Sequence, residues 1–526
     1  MTDIIKQPCD EGASHAQSDV PPVSVSTQHW VLLATILGSS MASIDSTIVN
    51  VALPILQTEL RATVTDVQWV VESYALFVAA LILVGGALGD RFGRRRIFTI
   101  GVILFTLASI WCGFAPNIGQ LIWARSIQGI GGALLIPGSL AIIGATFPSD
   151  RRGSAIGIWS GFSAMTSALG PVLGGWLLER ASWHWLFFIN LPLAAIVLGV
   201  SLWQVPESRD LEASPKLDWV GAVLAVVGLG GIVYGLIESS SQGFGNVRVW
   251  GAIAIGSICL GAFIIVEARL CAPMVPLKLF RSRTFSGTNL LTLLLYAALG
   301  GALFFLPFNL IQVQHYAPTA AGAALVPFPI LMFLLSRWSG GLVDRYGARK
   351  PLIIGPTIAA IGLGLMTVPS IGGGYWTTFF PAVIVLGLGM AITVAPLTTT
   401  VMAAVSVRYT GAASGINNAV ARVAGLLAIA VMGIVVSHVF NASLDRRILP
   451  LDLPLAARQL LDLQRINLAA ATVPPGLSAN TSLALHSAIA LAFVDGFRSV
   501  MWIAAGLAIS SAAIAALLLG DPARQR

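Results

Sequence analysis

A few side chains able to do chemistry lie inside long apolar runs of this sequence. Asp45 stands about fifteen residues into the run near 30–54. On a helix rising 1.5 Å per residue that is roughly 22 Å along the axis, near the middle of a bilayer. A carboxylate at that depth costs about 3 kcal/mol, and such residues usually mark an ion or substrate path. Low dielectric favours the neutral carboxyl and a nearby cation favours the charged one, so a site whose access alternates can load and release a proton. The other reading is an Asp that only hydrogen-bonds and stabilises packing. Arg125 lies about eight residues into the run near 119–142. It either faces Asp45 and sets its proton affinity or bonds backbone carbonyls as a structural arginine. Gln128, one turn deeper, is a neighbour of the pair or packing.

Glu72 falls in Trp69-Val-Val-Glu72-Ser-Tyr74, near the outer end of the second run. An anion in an aromatic-rich cavity attracts lipophilic cations by charge and by cation–π contact; an interfacial Glu reaching water is the alternative. The segment Asp90–Arg96 needs a tight turn, for which Gly93 supplies the backbone freedom. Asp90 can bond neighbouring helix ends or arginines of the other half of the chain, pairs that would hold the inner face shut in an outward-open state. Membrane anchoring alone accounts for Arg91, Arg94 and Arg95 but not for Asp90 and Gly93. Gly157/Gly161 and Gly170/Gly174 are four apart, a spacing that lets helices approach closely, and Pro171 removes a helix hydrogen bond between them. A dry, leak-proof contact and ordinary bundle packing both fit.

The elements that position these residues are set by composition. Of 526 residues, 56% are hydrophobic and only 10% charged, against about 25% charged in soluble domains. With a mean hydropathy of +0.84, the chain is neither an ordinary soluble enzyme nor disordered; lipid is its solvent. The four cysteines, Cys9, Cys112, Cys259 and Cys271, show no CxxC or Cys/His spacing, so no disulfide framework or metal site is expected. Apolar runs lie near 30–54, 67–88, 97–115, 119–142, 153–177, 185–204, 217–237 and 249–267. Six more follow near 285–312, 320–343, 352–369, 377–400, 413–439 and 493–518. With the N-terminus inside, 19 of the 30 Lys and Arg residues fall in inward loops and tails. The net charge of +7 is therefore an orientation signal, and nucleic-acid binding is not expected.

Gly86-Ala-Leu-Gly-Asp90-Arg91-Phe-Gly93-Arg94-Arg95 recurs as Gly340-Gly-Leu-Val-Asp344-Arg345-Tyr-Gly347-Ala-Arg349, 254 residues later. Gly129, Gly131, Ala133, Gly153 and Gly157 recur 258 residues later as Gly387, Gly389, Ala391, Gly411 and Gly415. Two blocks at nearly one offset indicate a duplication. The first block follows run 2 and its copy run 10, a shift of eight, so runs 7 and 8 read as an insertion between six-helix halves. This divides the chain into a flexible tail (1–28), a six-helix half (29–205), the inserted spans with their loops (206–283), a second half (284–520) carrying a long outer loop (441–490), and a tail (521–526).

On these blocks the sequence resembles the major facilitator superfamily, in particular its fourteen-span drug:proton antiporter branch. Leu-Gly-Asp90-Arg91-Phe-Gly93-Arg94-Arg95 is similar to the family's loop signature between spans 2 and 3. Asp45-Ser-Thr-Ile-Val-Asn50-Val-Ala-Leu-Pro54 is similar to the span-1 block of the branch, Arg125-Ser-Ile-Gln128-Gly129 to the span-4 motif, and Gly170-Pro171-Val-Leu-Gly174-Gly175 to the span-5 antiporter motif. The resemblance implies an all-α integral membrane protein of 14 transmembrane helices. It assigns proton coupling to Asp45 and Arg125, substrate contact to Glu72, Tyr74, Asn50 and Gln128, and gating to the loops with Gly86, Asp90–Arg95, Asp344, Arg345 and Gly347. At Glu72 the chain resembles quaternary-ammonium exporters, but runs 9 to 13 hold no acid, which argues against divalent cations.

The implied activity is proton-coupled export of hydrophobic, often cationic, drugs or toxic compounds; transport of a specific metabolite, lipid or siderophore is the alternative. A nutrient symporter is disfavoured by Gly170–Gly175. With no HExxH, GxSxG or P-loop, no enzyme activity and no ATP-driven pump are expected. No cofactor is expected beyond the proton gradient. Expected partners are small hydrophobic or cationic substrates, protons and the bilayer, with a periplasmic adaptor left open. The expected location is the inner (cytoplasmic) membrane with both termini cytosolic.

Overall fold

The computed structural model describes residues 24–210, 218–270, 273–406 and 409–519. Both expected tails lie largely outside these residues. Long apolar stretches become helices because a helix satisfies its backbone polar groups internally, as a lipid surrounding requires. The first half comprises α1 (Val25–Glu59), α2 (Val64–Phe92), α3 (Arg94–Gly113), α4 (Ile118–Thr146), α5 (Ser149–Arg180), the short α6 (Trp185–Phe188) and α7 (Asn190–Gln204). An inserted hairpin, α8 (Trp219–Gln242) and α9 (Val247–Arg269), follows. The second half runs through α10 (Arg283–Phe308), α11 (Pro318–Ala323), α12 (Pro327–Gly340), α13 (Leu342–Tyr346), α14 (Arg349–Leu365), α15 (Phe379–Ala403), α16 (Thr410–Ile448), α17 (Leu455–Gln464) and α18 (Ala479–Leu518).

Thirteen helices among the described residues are long and apolar enough to cross a membrane. The remaining expected span, near 352–369, forms α14, a helix of only 17 residues. Helix starts are chemically marked. Thr63 and Asp66 cap α2 reciprocally, at 2.9 and 3.1 Å, and the Asn117 side chain accepts from the Gln120 N–H at 2.9 Å at the start of α4. The N-terminal tail ends earlier than expected, since Ser24 caps a helix that begins at Val25. Run 10 breaks between α11 and α12, where Pro327 cannot donate to the preceding turn. The expected loop 441–490 is mostly helical: α16 continues to Ile448 and α18 begins at Ala479, so these helices have 39 and 40 residues, well over the ~20 a membrane span needs.

The repeat seen in the sequence is a repeat of packing. A Cβ on Gly101 of α3 would meet the Leu135 nitrogen at 2.8 Å and the Gly131 carbonyl at 3.1 Å on α4. Gly355 of α14, 254 residues on, packs in the same way against Thr393 and the Gly389 carbonyl of α15. The halves meet along two seams. At one, α2 packs against α16, and α8 lies across both. At the other, α5 faces α11 and α12. Two ends of the bundle can be distinguished: a basic end carrying Arg91–Arg96 and Arg345, and a loop end carrying α17. At the loop end α5 and α11 are in close contact, with Gly175 against Pro318 and Thr319 and Gly322 against the Pro171 carbonyl. Toward the basic end the same seam parts, and among the described residues nothing of another helix lies within 4 Å of a Cβ built on Gly157 or Gly153.

Candidate functional site

Asp45 on α1 is fully buried at the centre of the first half, and every group bonded to its carboxylate is a side chain. Arg125 of α4 pairs with Oδ2. Gln128, one turn along α4, donates from Nε2 to Oδ1 at 2.8 Å, and Asn190 at the start of α7 donates to the same oxygen at 3.3 Å. Gln128 and Asn190 also donate to the Ser109 hydroxyl of α3, at 2.8 and 3.2 Å. Four helices thus converge on one carboxylate.

Arg125 is held from several sides. Nε donates to the Val70 carbonyl of α2 at 3.1 Å and Nη1 to Gln128 Oε1 at 2.6 Å. The Tyr74 ring lies under the guanidinium, 4.4 Å from centroid to Cζ. A buried ion pair is stable only when its remaining donors and acceptors are satisfied, and this one is enclosed by such bonds. The two readings of Arg125 therefore coexist: it faces Asp45 and also bonds a backbone carbonyl.

The span-5 glycines pack around the same turn of α1. Gly170 lies against Thr47 and the Ile44 carbonyl, and a Cβ on Gly174 would meet Ile48 Cγ1 at 2.6 Å. Their helix continues into the contact with α11, so one packed path links the turn bearing Asp45 to the second half. One turn beyond Asp45, Thr47 and Asn50 line a cavity of about 130 Å³ with Pro171, Leu303, Leu325 and Phe328. Its walls are mostly apolar, and α1, α5, α10, α12 and the break before α12 all contribute.

Glu72 is placed apart from this group. Two residues from Tyr74, it lies on the opposite side of α2, on the face shared by Gln68 and Leu76. Gln68 donates to the Ile429 carbonyl of α16 at 3.4 Å, and Leu76 packs with Val233 of α8 and Leu426 of α16. The carboxylate is fully buried, and neither oxygen has a hydrogen-bond partner. It does not reach water at an interface.

The turn between α2 and α3 has the expected geometry at Gly93, whose φ is +112°. Gly347, its counterpart, has φ +74°. Asp90 bonds Arg94 of its own turn, at 2.9 Å to Nε and 2.8 Å to Nη2, rather than a residue of the second half. The Asp90 carbonyl accepts from the Asp210 N–H at 2.9 Å, and the Arg94 N–H donates to the Ser208 carbonyl at 2.8 Å. Gly86 makes an ordinary contact with Pro137. Asp344 and Arg345 are exposed on α13.

Asn190 and Ser109 were not singled out by the sequence. Asn190 was findable as an amide inside an apolar run; a serine such as Ser109 carries no signal of its own. Arg422 on α16 has neither a hydrogen bond nor an ion pair among the described residues. The side chain of Arg337 lies outside them.

Residues 35–429 match the family model described as the Major Facilitator Superfamily. The chain is 33% identical over 495 residues to the tetracenomycin C resistance and export protein of Streptomyces glaucescens, covering 92% of this chain and 90% of that protein. It is 35% identical over 425 residues to the multidrug resistance protein Stp of Mycobacterium tuberculosis, covering 80% and 78%. Its fold is similar to a crystal structure of a bacterial homolog of the human lysosomal transporter Spinster, inward-facing and unoccupied. The TM-score is 0.65 at 19% identity, over 95% of this chain and all of that one.

Proposed function

The chain belongs to the Major Facilitator Superfamily, and from that premise we propose that it exports hydrophobic, often cationic, compounds in exchange for protons. The observation that carries the reading is Asp45: a carboxylate buried at mid-bundle, paired to Arg125 and reached only by side chains that can also bond its neutral form. Protonation removes the charge attraction to Arg125 while Gln128 and Asn190 still have an acceptor. Arg125 keeps its Val70 carbonyl and the Tyr74 face. The turn of α1 that carries this change packs on Gly170 and Gly174, and α5 carries it on to α11 at the seam between halves. The apolar cavity beside Thr47 and Asn50 suits a lipophilic substrate.

The excess of Lys and Arg supports a cytosolic basic end with both termini there, in a protein of the cytoplasmic membrane. The seam that parts below Gly161 then opens inward, ready to load from the cell interior. For a neutral substrate, a proton entering down about 100 mV supplies about 2.3 kcal/mol, enough for a gradient on the order of 50-fold; one-for-one exchange with a monovalent cation moves no net charge and is driven by the pH difference alone. Relatives named for tetracenomycin C export and multidrug resistance support the substrate class. The test is dye efflux from everted vesicles, over cationic and neutral compounds, with and without a protonophore. Efflux that a protonophore does not reduce would overturn proton exchange.

A further inference from the structure

Outside the transport path, the basic end holds a cavity of about 620 Å³ between the start of α3 and the segment that follows α7. Arg95, Arg96 and Arg209 line its polar part, and the apolar part is formed by Phe92 at the end of α2, Ile100 of α3 and Leu202 of α7, all exposed. Glu207, the one acid in the lining, is already engaged. It accepts from the N–H groups of Arg95 and Arg96 at 3.1 and 3.2 Å and lies 3.7 Å from Arg95 Nε. Arg95 is further fixed by a bond to the Val205 carbonyl at 3.1 Å. The side chains of Arg96 and Arg209 have no hydrogen bond or ion pair among the described residues.

A cavity with three guanidinium groups, two of them unpaired among the described residues, opens here beside an apolar wall at the basic end of the bundle. We propose that it binds the headgroup of an anionic phospholipid, with the phosphate between Arg96 and Arg209 and an acyl chain along Ile100 and Leu202. The charge is complementary to a phosphodiester, and guanidinium groups suit its paired oxygens. A free anion would use the arginines but leave the apolar wall without purpose. The site adjoins the Gly93 turn, so an occupying lipid would bear on the Glu207 brace that holds α3 to the segment after α7.

The test is native mass spectrometry of the full chain in detergent, titrated with phosphatidylglycerol or with phosphatidylcholine of the same chains. The wild-type protein should prefer phosphatidylglycerol by about tenfold or more. Arg96→Gln with Arg209→Gln should bring that preference close to one, while Arg281→Gln with Arg283→Gln, an equal loss of charge at the same end, should keep it. A preference that survives the first pair, or that falls equally with the second, overturns the site. Excess inorganic phosphate should not displace the lipid; displacement would assign the cavity to a free anion instead. Unchanged thermal melting checks that the double variant folds, and Arg209→Gln alone, on the exposed segment, should already weaken binding severalfold.

Discussion

At the scale of single residues, two of the buried acids, Asp45 and Glu72, are opposites. Asp45 has a partner for each oxygen; Glu72 has none. Asp45→Asn should abolish protonophore-sensitive efflux while the protein still reaches the membrane, and it should lower the melting temperature, because Arg125 is left buried without its counter-charge. Transport assays in everted vesicles and thermal melting of the purified protein read both effects. Glu72→Gln should instead hold or raise the melting temperature, since it removes a buried acid with no protein partner. If Glu72 is kept to meet a cationic substrate, the same variant should weaken efflux of cationic dyes severalfold and spare neutral ones; equal loss of both would discard that role. The sequence marked Asp45 by its depth in an apolar run and Glu72 by its aromatic neighbours near a run's outer end. It could not separate their surroundings, because a side chain's direction around a helix matters only once the neighbours are known. Asn190 and Ser109 escaped for the same reason, being ordinary residues until Asp45 is placed beside them.

At the scale of elements, the glycines of α5 divide by position. A Cβ on Gly174 would meet Ile48 of α1, whereas one on Gly157 would meet no described residue of another helix. Gly174→Val should disrupt the α1–α5 contact and cost both stability and coupling, in line with a forced clash of about 1–3 kcal/mol. Gly157→Ala should leave melting unchanged. Gly157→Leu is more informative. It should fold, because the space is open, yet slow transport strongly if the basic half of the seam must close during the cycle; full activity would show that it never does. The four-residue glycine spacing was legible as close packing, but not which pairs pack in this state. The duplication was the most legible feature of all, since Gly101 and Gly355 occupy equivalent contacts in the two halves. The break between α11 and α12 was marked by Pro327 inside an otherwise continuous apolar run, because a proline interrupts a helix wherever it stands.

At the scale of the molecule, the two seams differ. The one between α2 and α16 is covered by α8, which packs on Leu76 from one side and with Leu426 from the other. The one between α5 and α11–α12 has no such cover, and it is closed only at the loop end. An exchanger must release that closure to discharge outward, so the loop-end contact is where rocking can be stopped by chemistry. The Thr319 N–H donates to Glu179 Oε1 at 2.8 Å across this contact. Glu179→Cys with Thr319→Cys, in a background where Cys9, Cys259 and Cys271 are serine, can be joined by a short cleavable bifunctional thiol reagent. Cross-linking should arrest efflux, and reductive cleavage should restore it, whereas each single cysteine variant should be indifferent to the reagent. Binding of a lipophilic substrate to the cross-linked protein should survive, because the cavity beside Thr47 and Asn50 lies on the open side of the lock. Efflux that continues with the loop end covalently closed would mean that the halves do not rock about this seam, and the path from Asp45 through α5 to α11 would then have no role in transport.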